Sequence, residues 1–199
     1  MKADEAADLM DRDKEQNKFK QRAAVVIAIF AMLLAITGLG GQNATKEAIN
    51  ENIAASNYFA FFQAKNMRQT SFVVAANEME LAWAASAHLP EDAKAALRKK
   101  LEDYRKTIAR YDSEPDTGEG KKELLAKARE HTAKRDHALK QDPYFDYAEA
   151  LLQIAIVLIS VSIVAEVVWL AFIGGGLGLI GMLLMINGYL LLVEIPGFA

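Results

Sequence analysis

Cysteine is absent from all 199 residues, so disulfides, thiolate metal sites and thiol nucleophiles are excluded. Charge of one sign is not in excess either. Lys and Arg number 23 against 26 Asp and Glu, a formal net charge of −3, which gives no electrostatic case for nucleic acid. The histidines, His88, His131 and His137, do not stand at metal-ligand spacing with carboxylates. No nucleophile, base and orienting group can be assembled along the chain. These gaps predict a protein that is not an enzyme, with no cofactor, no metal and no catalytic residue.

What the chain has is apolar length, pooled in two places. Residues 1–22 are charged and mixed in sign, with Lys14, Lys18, Lys20 and Arg22 crowded toward their end. Ala23 to Gly41 then runs without a charge. As a helix it reaches about 28 Å, close to the thickness of a hydrocarbon core. A cleaved signal peptide is the rival reading, but its apolar region would be shorter, and Gly38-Leu39-Gly40 departs from the usual alanine cleavage pattern. Residues 23–41 therefore read as transmembrane helix 1, with residues 1–22 as a charged cytoplasmic segment by the positive-inside rule.

Residues 42–146 form a polar insert with helical character. At 100° per residue, Ala55, Tyr58, Phe61, Phe62, Phe72, Val73, Ala76, Met79 and Trp83 make one stripe. His88-Leu89-Pro90 is expected to end that helix, because the residue before proline is pushed out of the helical region. The next helix carries Leu97, Leu101, Tyr104, Ile108 and Tyr111 in alternating four- and three-residue steps, a short coiled-coil seam. Residues 113–120 are the clearest loop, and a third helix follows from Lys121. These last two helices are expected to fold back on each other as an antiparallel hairpin. Asp142-Pro143 closes the insert, and Tyr144, Phe145 and Tyr147 suit the aromatic belt of a membrane interface.

From Ala150 to Val193 the chain is apolar apart from scattered polar residues, and as one helix it would reach about 66 Å, twice the length of one span. Two spans are required, over residues 147–165 and 168–193. The turn between them is placed at Glu166 rather than Gly174-Gly175-Gly176, because a carboxylate at mid-bilayer costs roughly 3 kcal/mol or more. Three spans with a cytoplasmic N-terminus put residues 42–146 in the periplasm of a Gram-negative cell.

Two stretches, NYFAFFQAKNMRQT at 57–70 and YFDYAEALLQIAIVLIS at 144–160, resemble the signature regions of the DUF4337 family of bacterial membrane proteins. The resemblance extends over the layout from about Arg22 to Leu192 and implies one span, a helical insert and a paired span. That family often has basic residues and tryptophan at its last turn; here Trp169 stands beside Glu166 without a base. No activity is attached to the family, so the resemblance implies location and architecture alone.

Lys65 and Gln69 fall inside the aromatic stripe, with Arg68 at its edge. A cation on a buried face requires a carboxylate or an aromatic face nearby. Asp142, Asp146 and Glu149 are the expected partners, giving a structural joint with Tyr58, Phe61 and Phe62. The alternative is that the stems of both cations snorkel to water. Gly176 to Gly181 spells GxGxxG, yet no strand precedes it. Gly174, Gly178 and Gly181 instead suit close helix packing, within the chain or between subunits. Gln153 and Asn187 are expected to hydrogen-bond between helices.

The expected whole is an all-α membrane protein with three transmembrane helices and a helical coiled-coil-like insert between the first and second. Its expected role is a structural or accessory inner-membrane protein, in contact with membrane lipid, that forms a homo-oligomer or docks on a larger membrane complex. The alternative is a small homo-oligomeric channel.

Overall fold

The computed structural model describes residues 3–85, 88 and 90–196, with side chains from residue 14 onward. Every long element is an α-helix: α1 (Ala3–Ala84), α2 (Glu91–Asp112), α3 (Lys121–Ala165) and α4 (Val168–Leu190). No strand is present among the described residues. Three of the helices, α1, α3 and α4, are long and apolar enough to cross a membrane. The chain divides into two compact units, Met1–Ala48 with Asp136–Ala199, and Ile49–Arg135.

In the first unit α1, α3 and α4 pack with α3 running against the other two. Lys20 and Glu166 meet at one end, and Phe145 meets Gly40 and Gly188 toward the other. The core is Ala23, Phe30, Leu152, Ala155 and Ile159, with Val26, Leu33, Ile163 and Leu177 against it. Small residues set the helix spacing. A Cβ on Gly178 would lie 2.1 Å from the Phe30 ring, and one on Gly174 would lie 2.8 Å from Ile159 and 2.9 Å from the Ala155 carbonyl. Thr37 and Ser162 are fully buried, and each hydroxyl is satisfied by its own helix, donating to the Leu33 and Ile159 carbonyls at 2.8 and 2.7 Å.

The turn between α3 and α4 falls at Glu166 and Val167, while Gly174–Gly176 lie inside α4. Glu166 takes a left-handed φ of 56°, and the Val167 N–H reaches back to the Ser162 carbonyl at 3.2 Å. This is the closing bond of a Schellman-type helix end. Pro143 does not end a helix: it sits inside α3. Its missing N–H costs one backbone bond, to Leu139, without stopping the helix.

In the second unit the seam of α1 is Ala55, Tyr58, Phe62, Lys65, Gln69, Phe72, Ala76, Met79 and Trp83, all buried or half-buried. The steps alternate three and four residues, the spacing that keeps one helix face against a partner. Phe61 and Val73, expected within the stripe, lie at its edge and are 38% and 37% exposed. α1 ends at Ala84, ahead of Pro90; Leu89 lies outside the described residues.

The expected hairpin between α2 and α3 does not form. Arg98 packs over Trp83, Tyr104 and Tyr111 meet Phe72, and Gln69 bonds the Ile108 carbonyl. Farther along, Lys121 bonds Asn66, His131 stacks on Tyr58 and Arg135 bonds Asn52. Both helices therefore run antiparallel to α1, one after the other, with residues 113–120 as the splice. The physical reason is length. The α1 stripe from residue 55 to 83 spans about 42 Å, longer than the roughly 33 Å of α2, so it takes two partners in series.

Candidate functional site

The splice loop is where the second unit concentrates its polar chemistry. Lys65 projects from the seam of α1 and its side chain is 7% exposed. Its ammonium lies 3.6 Å from Glu114 Oε2 and 3.6 Å from Glu119 Oε2. The Phe61 and Tyr111 rings stand 5.7 and 5.4 Å away, within cation–π range. A buried cation is tolerated because two carboxylates and two ring faces replace its water.

The loop is built to hold those carboxylates. Glu123, in the first turn of α3, accepts hydrogen bonds from the Ser113 hydroxyl at 2.5 Å and the Glu114 N–H at 3.1 Å. These donors favour its charged form and hold its carboxyl below the usual glutamate range. Lys122 hydrogen-bonds Asp112 at 2.7 Å and likewise lowers the Asp112 carboxyl. Gly118 takes the left-handed φ of 65° that a side chain resists, and its carbonyl accepts from Lys127 at 2.9 Å. Gly120 has no room for a Cβ, which would fall 2.2 Å from Glu123 Oε2 and 2.4 Å from the Glu114 nitrogen.

The joint expected from sequence is thus corrected. Lys65 is fastened, but to Glu114 and Glu119 and not to Asp142, Asp146 or Glu149, and Arg68 is exposed. Phe61 does reach the ammonium, and Phe62 is half-buried on the seam. Tyr58 belongs to a neighbouring set, stacked on His131 at 5.2 Å with the Lys127 ammonium 5.7 Å away. His131 Nδ1 is 2.5 Å from Glu51 Oε2. Sequence reasoning missed Glu114 and Glu119 because they sit in a loop, where carboxylates are ordinarily solvated. Lys65 on a buried stripe was the one signal that some acid had to be near.

Asp142, Asp146 and Glu149 belong to the first unit, on one side of α3. With Gly38, Gly41, Gln42, Thr45 and Lys46 of α1 they line an open cleft of about 450 Å³. Thr45 donates to Asp142 at 2.9 Å, and Gln153 donates to Glu149 at 3.1 Å along its own helix rather than across to another. Among the described residues no group of three or more His, Asp or Glu is arranged to hold a metal ion.

Gly174 and Gly181 face α3, where a Cβ on Gly181 would lie 3.1 Å from the Ala148 carbonyl, and Gly178 faces Phe30 of α1. Asn187 does not bond between helices either. Its amide donates to the Val193 carbonyl at 2.8 Å and accepts from the Val193 N–H at 2.9 Å. Tyr144 donates to the same carbonyl at 3.0 Å and accepts from the Ile195 N–H at 2.8 Å, while Lys140 pairs with Glu194 at 2.7 Å. The segment after α4 is thereby strapped to α3, a feature no sequence pattern announced.

Fold and site together define an all-α protein with three membrane-length apolar helices and a polar joint that fastens one helix to a loop. The chain belongs to the family described as a domain of unknown function, DUF4337, which matches residues 19–191. No curated protein and no solved structure matches the chain.

Proposed function

We propose that this chain is an integral protein of a bacterial inner membrane with a structural or accessory role. In this reading it self-associates or docks on a larger membrane complex and performs no catalysis. The observation that carries the membrane assignment is unburied apolar surface. In the most apolar 18-residue windows of α1, α3 and α4, only 22%, 28% and 22% of residues are buried. Water would penalise such a surface at about 25 cal/mol per Å², whereas lipid accepts it.

The basic flank of α1 then lies in the cytoplasm with the Glu166 turn, since Lys20 is 3.6 Å from that carboxylate. Residues 42–146 form the periplasmic, coiled-coil-like insert. The accessory role is favoured by the chemistry of the joint: its charges neutralise one another and serve attachment between helix and loop.

The test is extraction of cell membranes with alkaline carbonate, then mass measurement of the gently solubilised assembly. Retention in the membrane and a mass above one protomer, with no conductance in a planar bilayer, are expected. Release by carbonate would overturn the membrane assignment. A solitary protomer would overturn the accessory role, and single-channel conductance would replace it with a pore.

A further inference from the structure

The outer face of α1 in the second unit differs from every other exposed helix face there. Ile53, Ala60, Met67, Val74 and Leu81 recur at intervals of seven residues on the side opposite the seam. They are exposed, Met67 to 67% and Leu81 to 72%. Between Ile49 and Leu81, Glu78 is the one charge among the described residues of that face. The outer face of α2, by contrast, carries Lys99, Lys100, Glu102, Asp103 and Lys106, all exposed. A solvated helix face is normally charged as α2 is.

We infer that this face of α1 binds the same face of a second copy of the chain, in parallel. The inference rests on the membrane reading above. Three arguments select a second copy as occupant. A seven-residue apolar repeat is the repeat of a supercoiled helix pair, and an identical helix matches it in pitch and register. Apart from Glu78, the residues flanking the row, such as Asn57, Gln63 and Asn77, are uncharged. Amides are self-complementary donors and acceptors, so they pair with their own kind, whereas hydrocarbon would leave them unsatisfied.

Size also suffices. From Ile49 to Leu81 the helix is about 48 Å long and about 11 Å across, a footprint of roughly 500 Å² per copy. Two copies cover on the order of 1,000 Å², the lower limit for a specific interface. Anchoring in one membrane raises the effective concentration and fixes both copies in the same orientation, so a two-fold axis brings equal residues together.

Absence of cysteine makes the test clean. Ile53→Cys, Met67→Cys, Val74→Cys and Leu81→Cys, one at a time in the full chain, are oxidised mildly in native membranes. Lys99→Cys is the control. Disulfide-linked dimer is expected at all four positions, several-fold above the control, and Val74→Lys should abolish the dimer formed by Met67→Cys. Cross-linking no greater than the control, or no dimer at any position, overturns the inference. Cross-linking at Met67 alone overturns the parallel arrangement. Carbonate washing of the same membranes separates the two readings. A retained protein that does not cross-link refutes only this interface, whereas a released protein refutes the membrane reading.

Discussion

In the first unit the deepest positions include Leu152, Ala155, Ile159, Thr37 and Ser162, and the two hydroxyls bond within their own helices. In the second unit Leu124 and Ala128 are as deep, but Lys65 is buried there too and ion-paired to a loop. The first unit is held mainly by close approach: glycine notches admit Phe30 and Phe145, and beside Phe145 the Tyr189 hydroxyl donates to the Ile36 carbonyl at 3.1 Å. The second is held by attachment, with aromatic rings and ion pairs joining single helix faces. α2 has no fully buried residue. Two helices touching along one seam cannot bury enough to stand on packing alone. Shape therefore carries the first unit and charge a larger part of the second, and each should fail through its own material.

The largest effect is expected where shape decides. Gly178→Leu drives a side chain into Phe30, which is itself buried and has nowhere to go, at a cost of roughly 3 kcal/mol. Gly175→Leu is the matched control, since a Cβ there meets nothing within 4 Å, and it should leave thermal unfolding in detergent unchanged. The companion Phe30→Ala opens a cavity of its own, yet the double variant should lose less than the sum of the two. Additive losses would show that the notch and the ring are not one contact.

Lys65→Glu comes next. It places a third carboxylate beside Glu114 and Glu119 on a buried face, and should destabilise the second unit by about 2 kcal/mol, since those partners keep some access to water. Lys65→Met should cost less, because it fills the seam and frees the two acids to hydrate. Urea unfolding followed by circular dichroism reads both. Equal stability of the glutamate and methionine variants would mean that Lys65 contributes packing and no charge. By contrast, Glu166→Gly should raise stability by about 1 kcal/mol, because glycine adopts the left-handed turn freely and an exposed pair with Lys20 contributes little. A drop in the melting temperature would assign the turn to that ion pair.

The same contrast explains what the sequence made legible. Apolar length is a one-dimensional property, so the helices of the first unit and the turn at Glu166 could be placed by counting and by the cost of a charge. The glycines of α4 were legible as a packing face, though not that Gly178 would receive Phe30, which stands far away in the chain. In the second unit the α1 stripe announced a partner but not how many. A loop of turn residues at 113–120 suits a reversal and a splice equally well. Partner choice for Lys65 followed from that misjudged geometry, because a hairpin would have carried Glu114 away from α1. The strap of residues after α4 onto Tyr144 was invisible for a different reason: backbone groups supply most of it.

The smallest expected effect sharpens the charge side of the comparison. Glu123 is held below its ordinary range chiefly by the Ser113 hydroxyl and next by the Glu114 N–H, and Asp112 chiefly by its hydrogen bond to Lys122. A carboxylate whose pKa is lowered on folding contributes stability that is fully present above its unfolded value, and loses it as pH falls through the lowered, folded value. For Glu123 the loss therefore begins below its ordinary value of 4.5 and completes only below the folded one. Amide hydrogen exchange of residues 113–120 should quicken across that acid range, with little change between pH 6 and 8, while the Phe30 and Phe145 contacts of the first unit stay protected. Glu123→Gln should remove the Glu123 share of this acid dependence and bring some of the quickening to neutral pH, because the two bonds go to different carboxylate oxygens and an amide offers one accepting oxygen, uncharged, and an NH2 that cannot accept. If the loop instead loosened in step with the first unit, the two units would share one cooperative transition, and the division between shape and charge would not describe how the protein unfolds.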